Sequence, residues 1–328
     1  MLFRLNWVRS TIGFCGLLLL SGLLAACGEE ATGGYSGEVR IDGSSTVFPI
    51  SQAVAEEFFL ENRGMRFTVG ASGTGGGFEK FCRGDIQISN ASRHINDTEI
   101  ALCAENGIEF TELTVAADGL SVIVHPDNDW ADCLTVEQLH QLWMPDSTVE
   151  RWSDLDPSWP DKEINLFGPG TDSGTFDYFT ETINGDSGAS RADYSASEDD
   201  NVLIQGVEGD EYALAYLGYA YYSENAERLK VLAIDGGNGC VLPSPETVRD
   251  GEYVPLSRPV FIYVNNADLA ADDAADLATP GPSSTLAAFV TYYLTEGVGV
   301  IPFVGYIPYD ETVYEEQLRK VAEVTGDR

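Results

Sequence analysis

The sequence has few basic residues. Only 18 of its 328 residues are Lys or Arg, against 53 Asp or Glu, which gives a formal net charge of −35. Nucleic acids and anionic lipid surfaces attract basic proteins, so this charge argues against both as partners. Most of the carboxylates are interpreted as a solvated acidic coat. Any site for an anion must then be a local pocket that is shielded from the field of the whole molecule.

Histidine is also scarce, with three residues. The chain has no His-Glu-x-x-His motif and no Cys/His cluster of the kind that binds zinc. It has no glycine-rich loop followed by Lys-Ser/Thr and no complete G-x-G-x-x-G fingerprint. We therefore expect no metal and no cofactor. An exported hydrolase is only a distant alternative. The chain has no G-x-S-x-G elbow, and no general base lies beside a hydroxyl in these motifs.

The long apolar run is confined to the N-terminus. Two arginines precede the stretch Ile12 to Leu24, which is too short to span a bilayer comfortably. It ends in Leu24-Ala25-Ala26-Cys27, which has the form of a bacterial lipobox. We predict a signal peptide over residues 1–26, lipid on the thiol of Cys27 and a flexible tether over 27–37. A plain secretory signal with an incidental cysteine is the alternative.

This leader predicts an exported protein. The protein would be anchored by lipid at the outer face of the cytoplasmic membrane or held in the periplasm. Residues 1–26 carry two arginines and no acid, so the rest has 16 basic and 53 acidic side chains, a net charge of −37. Four cysteines remain outside the leader and the lipobox, and an even number in an exported protein predicts two disulfides. Three pairings are possible. We favour Cys82–Cys103, which closes a short loop, and Cys133–Cys240, which would tie both ends of one lobe.

Glycine and hydroxyl residues occur together three times, each time before an amphipathic helix. The first, second and third turns are Asp42-Gly-Ser-Ser-Thr-Val-Phe-Pro, Ala71-Ser-Gly-Thr-Gly-Gly-Gly-Phe and Gly168-Pro-Gly-Thr-Asp-Ser-Gly-Thr-Phe. Hydroxyl groups and the free N–H groups of a helix start bind oxyanions without much positive charge. N-capping would explain one such turn. Three of them indicate one convergent anion site.

A fourth contribution is predicted from Ile88-Ser-Asn-Ala-Ser-Arg-His, where a strand ends in polar residues. Arg93 follows directly after Ser92, and arginine suits bidentate recognition of a tetrahedral oxyanion. A surface ion pair is the alternative role for an arginine in so acidic a chain. We expect the loss of Arg93 to weaken binding more than the loss of any single hydroxyl.

Short apolar runs alternate with amphipathic helical stretches from Val39 onward, which is typical of an α/β protein. Two long strands with a buried composition, Leu120–Val124 and Pro259–Val264, are candidates to carry the chain between two lobes. One lobe would then span 122–258, and the other would combine 38–121 with 259–328. The first two turns fall in the second of these lobes and the third turn in the first. A ligand between the lobes would be enclosed on closure.

Several ordered motifs resemble the phosphate-binding proteins of bacterial phosphate ABC transporters, the PstS family. The resemblance covers the chain from about Val39 to near the C-terminus. It rests on the three turns and on Ser89-Asn-Ala-Ser-Arg, Ser197-Glu-Asp-Asp-Asn-Val-Leu-Ile-Gln-Gly-Val, Leu217-Gly-Tyr-Ala-Tyr-Tyr and Val304-Gly-Tyr-Ile-Pro.

This resemblance implies a two-lobed periplasmic-binding-protein fold of type II, in which hinge strands join two α/β domains around a ligand cleft. It also implies a monomer that clamps inorganic phosphate in the cleft and delivers it to the permease subunits of an ABC transporter. The alternatives keep the fold. They are another oxyanion (sulfate, molybdate or tungstate) or a phosphate sensor that feeds no transporter.

The resemblance further implies phosphate-binding roles for Thr46, Val47 through its N–H, Ser72, Thr74, Ser173, Gly174 and Thr175. The residues of the first turn and of the segment after Ile88 add Ser45, Ser92 and Arg93 to the predicted set. The chain departs from the best-known branch at two places. Pro169 stands where that branch has an arginine, and Ser92-Arg93 stands where it has an aspartate that accepts the proton of hydrogen phosphate.

A carboxylate that accepts the ligand proton distinguishes phosphate from sulfate, which has no proton to donate. Asp172, Asp199 and Asp200 are the candidates for this acceptor, and we favour Asp199 or Asp200. The alternative is that Glu198-Asp-Asp is a solvated acidic loop.

Overall fold

The structure, a computed structural model, describes residues 34–171, 173–271 and 284–326. The predicted signal peptide, Cys27 and Asp172 lie outside the described residues. The first strand begins at Ser36, one residue before the predicted end of the tether.

Twelve strands occur in the described residues, and nine of them form one sheet. Eight of the nine follow the order β2-β1-β3-β12-β4-β8-β6-β7, and the ninth, β9, pairs with β4. A second sheet has the order β11-β10-β5. The strands are β1 (Ser36–Gly43), β2 (Gly64–Val69), β3 (Ile88–Ala91), β4 (Phe110–Val124), β5 (Cys133–Thr135), β6 (Asn165–Pro169), β7 (Ser195–Ser197), β8 (Ala213–Gly218), β9 (Lys230–Val231), β10 (Ala233–Asp235), β11 (Cys240–Val241) and β12 (Ser257–Asn265).

Helices cover both faces of the large sheet, as is usual for α/β proteins. In chain order they are α1 (Phe48–Glu61), α2 (Gly73–Cys82), α3 (Asp97–Glu105), α4 (Val136–Trp143), α5 (Trp152–Leu155), α6 (Gly174–Asn184), α7 (Asp200–Glu208), α8 (Tyr219–Glu224), α9 (Pro245–Arg249), α10 (Asn266–Leu269), α11 (Thr285–Tyr293) and α12 (Glu311–Thr325). A 3-10 helix spans Glu296–Val304. No single helix in the described part of the chain is long and apolar enough to cross a bilayer; α11 and the 3-10 helix, bent by 56°, pass that test only as a pair.

Strand β4 runs through the middle of the large sheet. The sequence predicts separate strands here, over Phe110–Ala116 and Leu120–Val124, but the structure has one continuous strand. Its first part pairs with β12 as far as Gly119, and from Leu120 onward it pairs with β8. The polar residue within the predicted break, Asp118, lies opposite Arg258 in the β12 register. Backbone pairing with β12 therefore carries the strand through a segment that has no apolar pattern of its own.

Buried apolar side chains pack in separate clusters on the two sides of β4 and β12. One large cluster includes Ile41, Ile50 and Val54 on the side of β1 and α1, and another includes Trp143 and Phe179 on the side of β6 and β8. By backbone contacts the described residues nevertheless form one compact unit. The lobe boundaries at residues 122 and 259 therefore stay a prediction.

Both favoured disulfides are present. Cys82, the last residue of α2, is bonded to Cys103 in α3. Cys133 in β5 is bonded to Cys240 in β11, across the three-stranded sheet. The first bond therefore joins the helix that follows the second turn to its neighbour.

Candidate oxyanion-binding site

A cavity of about 230 Å³ lies where the first and second turns meet. The described residues of its walls combine hydroxyl groups, two arginines, two carboxylates and one aromatic ring. The lining residues are Ser44, Ser45, Thr46, Gly73, Thr74, Gly75, Ser92, Arg93, Asp177, Tyr178, Glu181, Ser187 and Arg258. The structure thus brings the first turn, the second turn and the segment after β3 to one place.

The first turn is fixed by its own backbone. The N–H of Ser44 donates to the carbonyl of Asn90 (2.9 Å), and the N–H of Val47 donates to the carbonyl of Ser44 (3.2 Å). The Val47 side chain is fully buried. Within the described residues, the N–H groups of Ser45 and Thr46 donate to no protein acceptor. These two groups, rather than the predicted N–H of Val47, are the backbone donors that the turn leaves for an anion.

The second turn is held by a carboxylate of the first. Asp42 Oδ1 accepts the N–H groups of Gly43 (2.7 Å) and Ser72 (3.0 Å), and Oδ2 accepts Lys80 Nζ (2.5 Å). Burial opposes the ionisation of Asp42, but these donors together hold its pKa below the usual range. The N–H of Ser72 is therefore occupied, and Ser72 does not line the cavity. Its predicted role as a ligand stays a prediction that this geometry does not favour.

Two predicted hydroxyl groups do meet. Thr74 Oγ1 lies 3.1 Å from Ser92 Oγ, and the Ser92 N–H donates to Thr74 Oγ1 (3.3 Å). Thr74 belongs to the first turn of α2, whose N–H groups have no partners inside the helix. A glycine on each side of Thr74 leaves these groups uncovered by side chains. This corner of the cavity is therefore rich in neutral donors.

Arg93 lies at the edge of the cavity. Its guanidinium forms two hydrogen bonds with the carboxylate of Glu99, Nη1 to Oε2 at 2.9 Å and Nη2 to Oε1 at 2.8 Å. Its side chain is 40 % exposed. The hydrogen bonds to Glu99 raise the pKa of Arg93. Arg93 therefore forms the ion pair that was its alternative role, and it also lines the cavity. Its contact with a ligand stays a prediction.

Arg258 is the cation that sequence reasoning missed. Its Nη2 donates to Thr46 Oγ1 (2.9 Å), and its Nη1 lies 3.4 Å from the Ser92 carbonyl oxygen. Its side chain is only 13 % exposed, so its charge is less screened by water than that of Arg93. The one available signal was its place, directly before Pro259 at the start of a predicted hinge strand.

A buried carboxylate orients Arg258. Arg258 Nε donates to Asp118 Oδ2 at 3.3 Å. Burial raises the pKa of Asp118, against the opposing effect of the Arg258 charge. Removing either partner would leave a charge buried without compensation. The pair therefore fixes the guanidinium at the base of the cavity.

The third turn reaches the site through α6. Ser173 Oγ accepts the N–H of Thr175 (3.1 Å) and caps the helix. Gly174 packs so closely on Thr46 that a methyl group on it would lie 2.9 Å from the Thr46 nitrogen. Of the described residues, Ser173, Gly174 and Thr175 are not among those that line the cavity, whereas the next turn of α6 lines it. Their predicted contact with a ligand stays a prediction.

The favoured proton acceptors lie elsewhere. Asp199 caps α7, with Oδ1 accepting the Asn201 N–H at 3.0 Å. Burial, and then the charge of Asp199, raises the pKa of Asp200 to about 6. Neither residue lines the cavity. Among the described residues, the carboxylates that line it are Asp177 and Glu181, one helical turn apart on α6.

Asp177 is in contact with the first turn. Its Oδ2 lies 3.4 Å from Ser45 Oγ, and its Oδ1 accepts the hydroxyl of Ser187 at 3.1 Å. A carboxylate here faces the same space as the donors of Thr46 and Arg258. The cavity therefore offers donors on one wall and an acceptor on the other.

Comparison with known proteins places the chain in a family. Residues 28–296 match the model of the PBP superfamily domain. Protein SphX of Synechocystis is 47 % identical over 315 residues, which is 95 % of this chain and 89 % of that protein. The phosphate-binding protein PstS of Staphylococcus saprophyticus is 35 % identical over 312 residues, 95 % of this chain and 92 % of that protein. The chain belongs to the PstS family.

A crystal structure of a possible phosphate-binding protein from Planctomyces limnophilus has the fold of this PstS-family chain. The TM-score is 0.81 at 45 % identity, and the match covers 89 % of this chain and 99 % of the other. The predicted α/β periplasmic-binding fold is thereby confirmed. Pro169, where the resemblance leads one to expect an arginine, ends β6, and its carbonyl accepts the hydroxyl of Tyr194 (2.9 Å).

Proposed function

We propose that this protein captures inorganic phosphate in the cavity and delivers it, outside the cytoplasm, to the permease of an ABC transporter. The observation that carries the proposal is the convergence of the hydroxyls of Thr46, Thr74 and Ser92 with the guanidinium of Arg258 around one cavity. The phosphate-binding proteins among its relatives support phosphate as the ligand. These relatives are binding proteins, so we propose no catalytic role.

The donors suit a tetrahedral oxyanion. The free N–H groups of Ser45 and Thr46 would bind one part of the anion, and the start of α2 with Thr74 would bind another. Arg258 would supply a charge-assisted hydrogen bond from a site with little water, where such bonds are strongest. In a chain of net charge −35, this small group of donors must outweigh the repulsion from the acidic surface.

Asp177 is our candidate for the acceptor of the ligand proton. It faces the donors across the cavity, whereas Asp199 caps a helix and Asp200 lies off the cavity. A hydrogen phosphate would donate its proton to Asp177, but a sulfate would place an unprotonated oxygen against that carboxylate. The carboxylates of the cavity thus favour phosphate over sulfate, molybdate and tungstate.

The location proposed for the protein rests on the leader alone. Removal of residues 1–26 and lipid on Cys27 would tether the folded part, whose first strand begins at Ser36, to the outer face of the cytoplasmic membrane. Replacing Cys27 with serine should move the protein from the membrane fraction to the soluble fraction. Retention of the Cys27→Ser variant in the membrane would contradict lipid attachment.

Isothermal titration calorimetry of the purified protein tests the ligand. We expect phosphate to bind with one site per chain, arsenate to compete because it has the same shape and carries a proton, and sulfate to bind at least 100-fold more weakly. Tight sulfate binding, or no binding of phosphate, would refute the proposal.

A further inference from the structure

One face of the N-terminal part of helix α6 contacts the wall of the cavity that holds the first turn and Arg258. Gly174, Asp177 and Tyr178 are spaced i, i+3 and i+4, so they lie on the same face of the helix. We call these three residues the closing face. Asp177 touches the hydroxyl of Ser45, and Tyr178 packs its ring against the guanidinium of Arg258. The cleft is therefore closed in this structure through direct contacts.

Gly174 makes the tightest of these contacts. A methyl group at this position would lie 2.9 Å from the nitrogen, 3.0 Å from the Cα and 3.1 Å from the Oγ1 of Thr46. Two of these atoms are backbone. The turn that holds them is fixed by the bond from Ser44 to Asn90 and by the hydroxyl of Tyr306, which donates to the Thr46 carbonyl. The first turn therefore has little freedom to move aside.

Helix α6 itself gives no reason for a glycine here. Gly174 is not among the glycines with positive φ, so its backbone conformation is open to any residue. It is also the first residue of an α-helix, where alanine has the higher propensity, by up to about 1 kcal/mol in a helix interior. The missing side chain serves the contact with Thr46.

We propose that Gly174 sets how closely α6 closes on the first turn, and thereby whether a bound anion is enclosed. A methyl group would hold the closing face away from Ser45 and Arg258. The anion would keep its donors on the opposite wall but lose its cover, so it would dissociate faster. The inference rests on the proposed function in one respect: the enclosed anion is phosphate.

The test is Gly174→Ala, with Gly299→Ala as the matched control, because a side chain at 299 would meet nothing within 4 Å. Phosphate affinity is measured by calorimetry and dissociation by stopped-flow fluorescence. We expect Gly174→Ala to bind at least tenfold more weakly through faster dissociation, with an unchanged melting temperature. Gly299→Ala should match the parent protein. Parent-like affinity in Gly174→Ala would overturn the inference.

Small-angle X-ray scattering, with and without phosphate, separates this inference from the proposed function. If the parent protein binds no phosphate, the proposed function fails. The scattering still compares the radius of gyration of the parent protein with that of Gly174→Ala. A larger radius of gyration for Gly174→Ala supports the inference, and equal dimensions overturn it.

A cross-link covers the case in which Gly174→Ala does not fold. Ser45→Cys with Asp177→Cys places two thiols where side-chain atoms lie 3.4 Å apart. Oxidation should join them, as shown by peptide mass mapping, if α6 closes on the first turn. Failure to cross-link in the folded double variant would overturn the inference.

Discussion

The guanidinium carbon of Arg258 lies 3.5 Å from the centre of the Tyr178 ring. Arg258 is in β12 and Tyr178 is in α6, so this cation–π contact spans the cavity. The same guanidinium also binds Thr46 and Asp118. One side chain thus connects the base of the cavity, the first turn and the closing face.

Replacing Arg258 should weaken phosphate binding more than any other single change in the cavity. Charge-assisted hydrogen bonds contribute about 1.5–3 kcal/mol, so we expect Arg258→Ala to bind roughly 10- to 100-fold more weakly. Arg258→Lys keeps the charge without the planar fork and should recover part of the loss. Calorimetry measures both variants, with Arg228→Ala, in an exposed ion pair with Glu208, as the control.

Arg93 provides the comparison. Because Glu99 already holds its guanidinium, Arg93→Ala should weaken binding less than Arg258→Ala. A larger loss from Arg93→Ala would show that the exposed arginine is the main cation of the site, as predicted from the sequence.

Asp177→Asn should reduce the discrimination between phosphate and sulfate. An amide at this position can donate a hydrogen bond to an unprotonated oxygen, so sulfate should gain affinity while phosphate loses it. Competition calorimetry at constant pH measures the ratio, for which we expect a fall of about tenfold or more. Asp199→Asn is the matched control, since asparagine caps a helix as well as aspartate does. If selectivity changes only in the control, Asp199 is the acceptor after all.

Asp200 should make stability depend on pH. Its pKa is about 6 in the folded chain, mainly through burial and also through Asp199, against an ordinary value near 4. The folded chain therefore binds more protons than the unfolded chain between these values, and the free energy of unfolding falls as pH rises from about 4 to about 6. Asp200→Asn removes this loss and should stabilise the protein at pH 8 by up to about 3 kcal/mol, and not at pH 4.

Urea unfolding at the two pH values measures this difference. Asp129→Asn, at an exposed aspartate, should change stability little at either pH. An Asp200→Asn variant that is equally stabilised at pH 4 and pH 8 would contradict the raised pKa as the cause.

Removal of the two disulfides should have different effects on stability and on phosphate affinity. Cys133–Cys240 encloses the longer loop, with a sequence separation of 107 against 21, so its removal should cost more stability, about 4–5 against about 3 kcal/mol. Only Cys82–Cys103 joins α2 to α3, which carry Thr74 and the Glu99 partner of Arg93. Cys82→Ala with Cys103→Ala should therefore also weaken phosphate binding severalfold. Equal effects on affinity from both double variants would argue against a bracing role.

Local signals in the sequence predicted much of the fold. The sequence predicts helices that begin near Asp97, Val136 and Pro245, where α3, α4 and α9 begin in the structure. Each is capped by the side chain of the residue before it (Asn96, Thr135 or Ser244), which accepts the backbone N–H three residues later. The three turns were found in the same way. Capping and turn formation depend on neighbouring residues, so a sequence window contains what decides them.

The missed features depend on contacts between distant parts of the chain. Arg258 reaches the cavity because β12 pairs with β4, and its partner Asp118 lies 140 residues earlier. Likewise, the first turn is held in part by the N–H of Ser44, which donates to the carbonyl of Asn90 in β3. Sequence spacing does not contain such pairings, so the sequence predicted the turns and their hydroxyl groups but not the place of Arg258 in the cavity.

A crystal structure of the protein grown with phosphate tests the central claim most directly. The account predicts one phosphate in the cavity, within hydrogen-bond distance of Arg258, Thr46 and Thr74, with one oxygen facing Asp177. Phosphate bound elsewhere, or in this cavity without contact to Arg258, would contradict it.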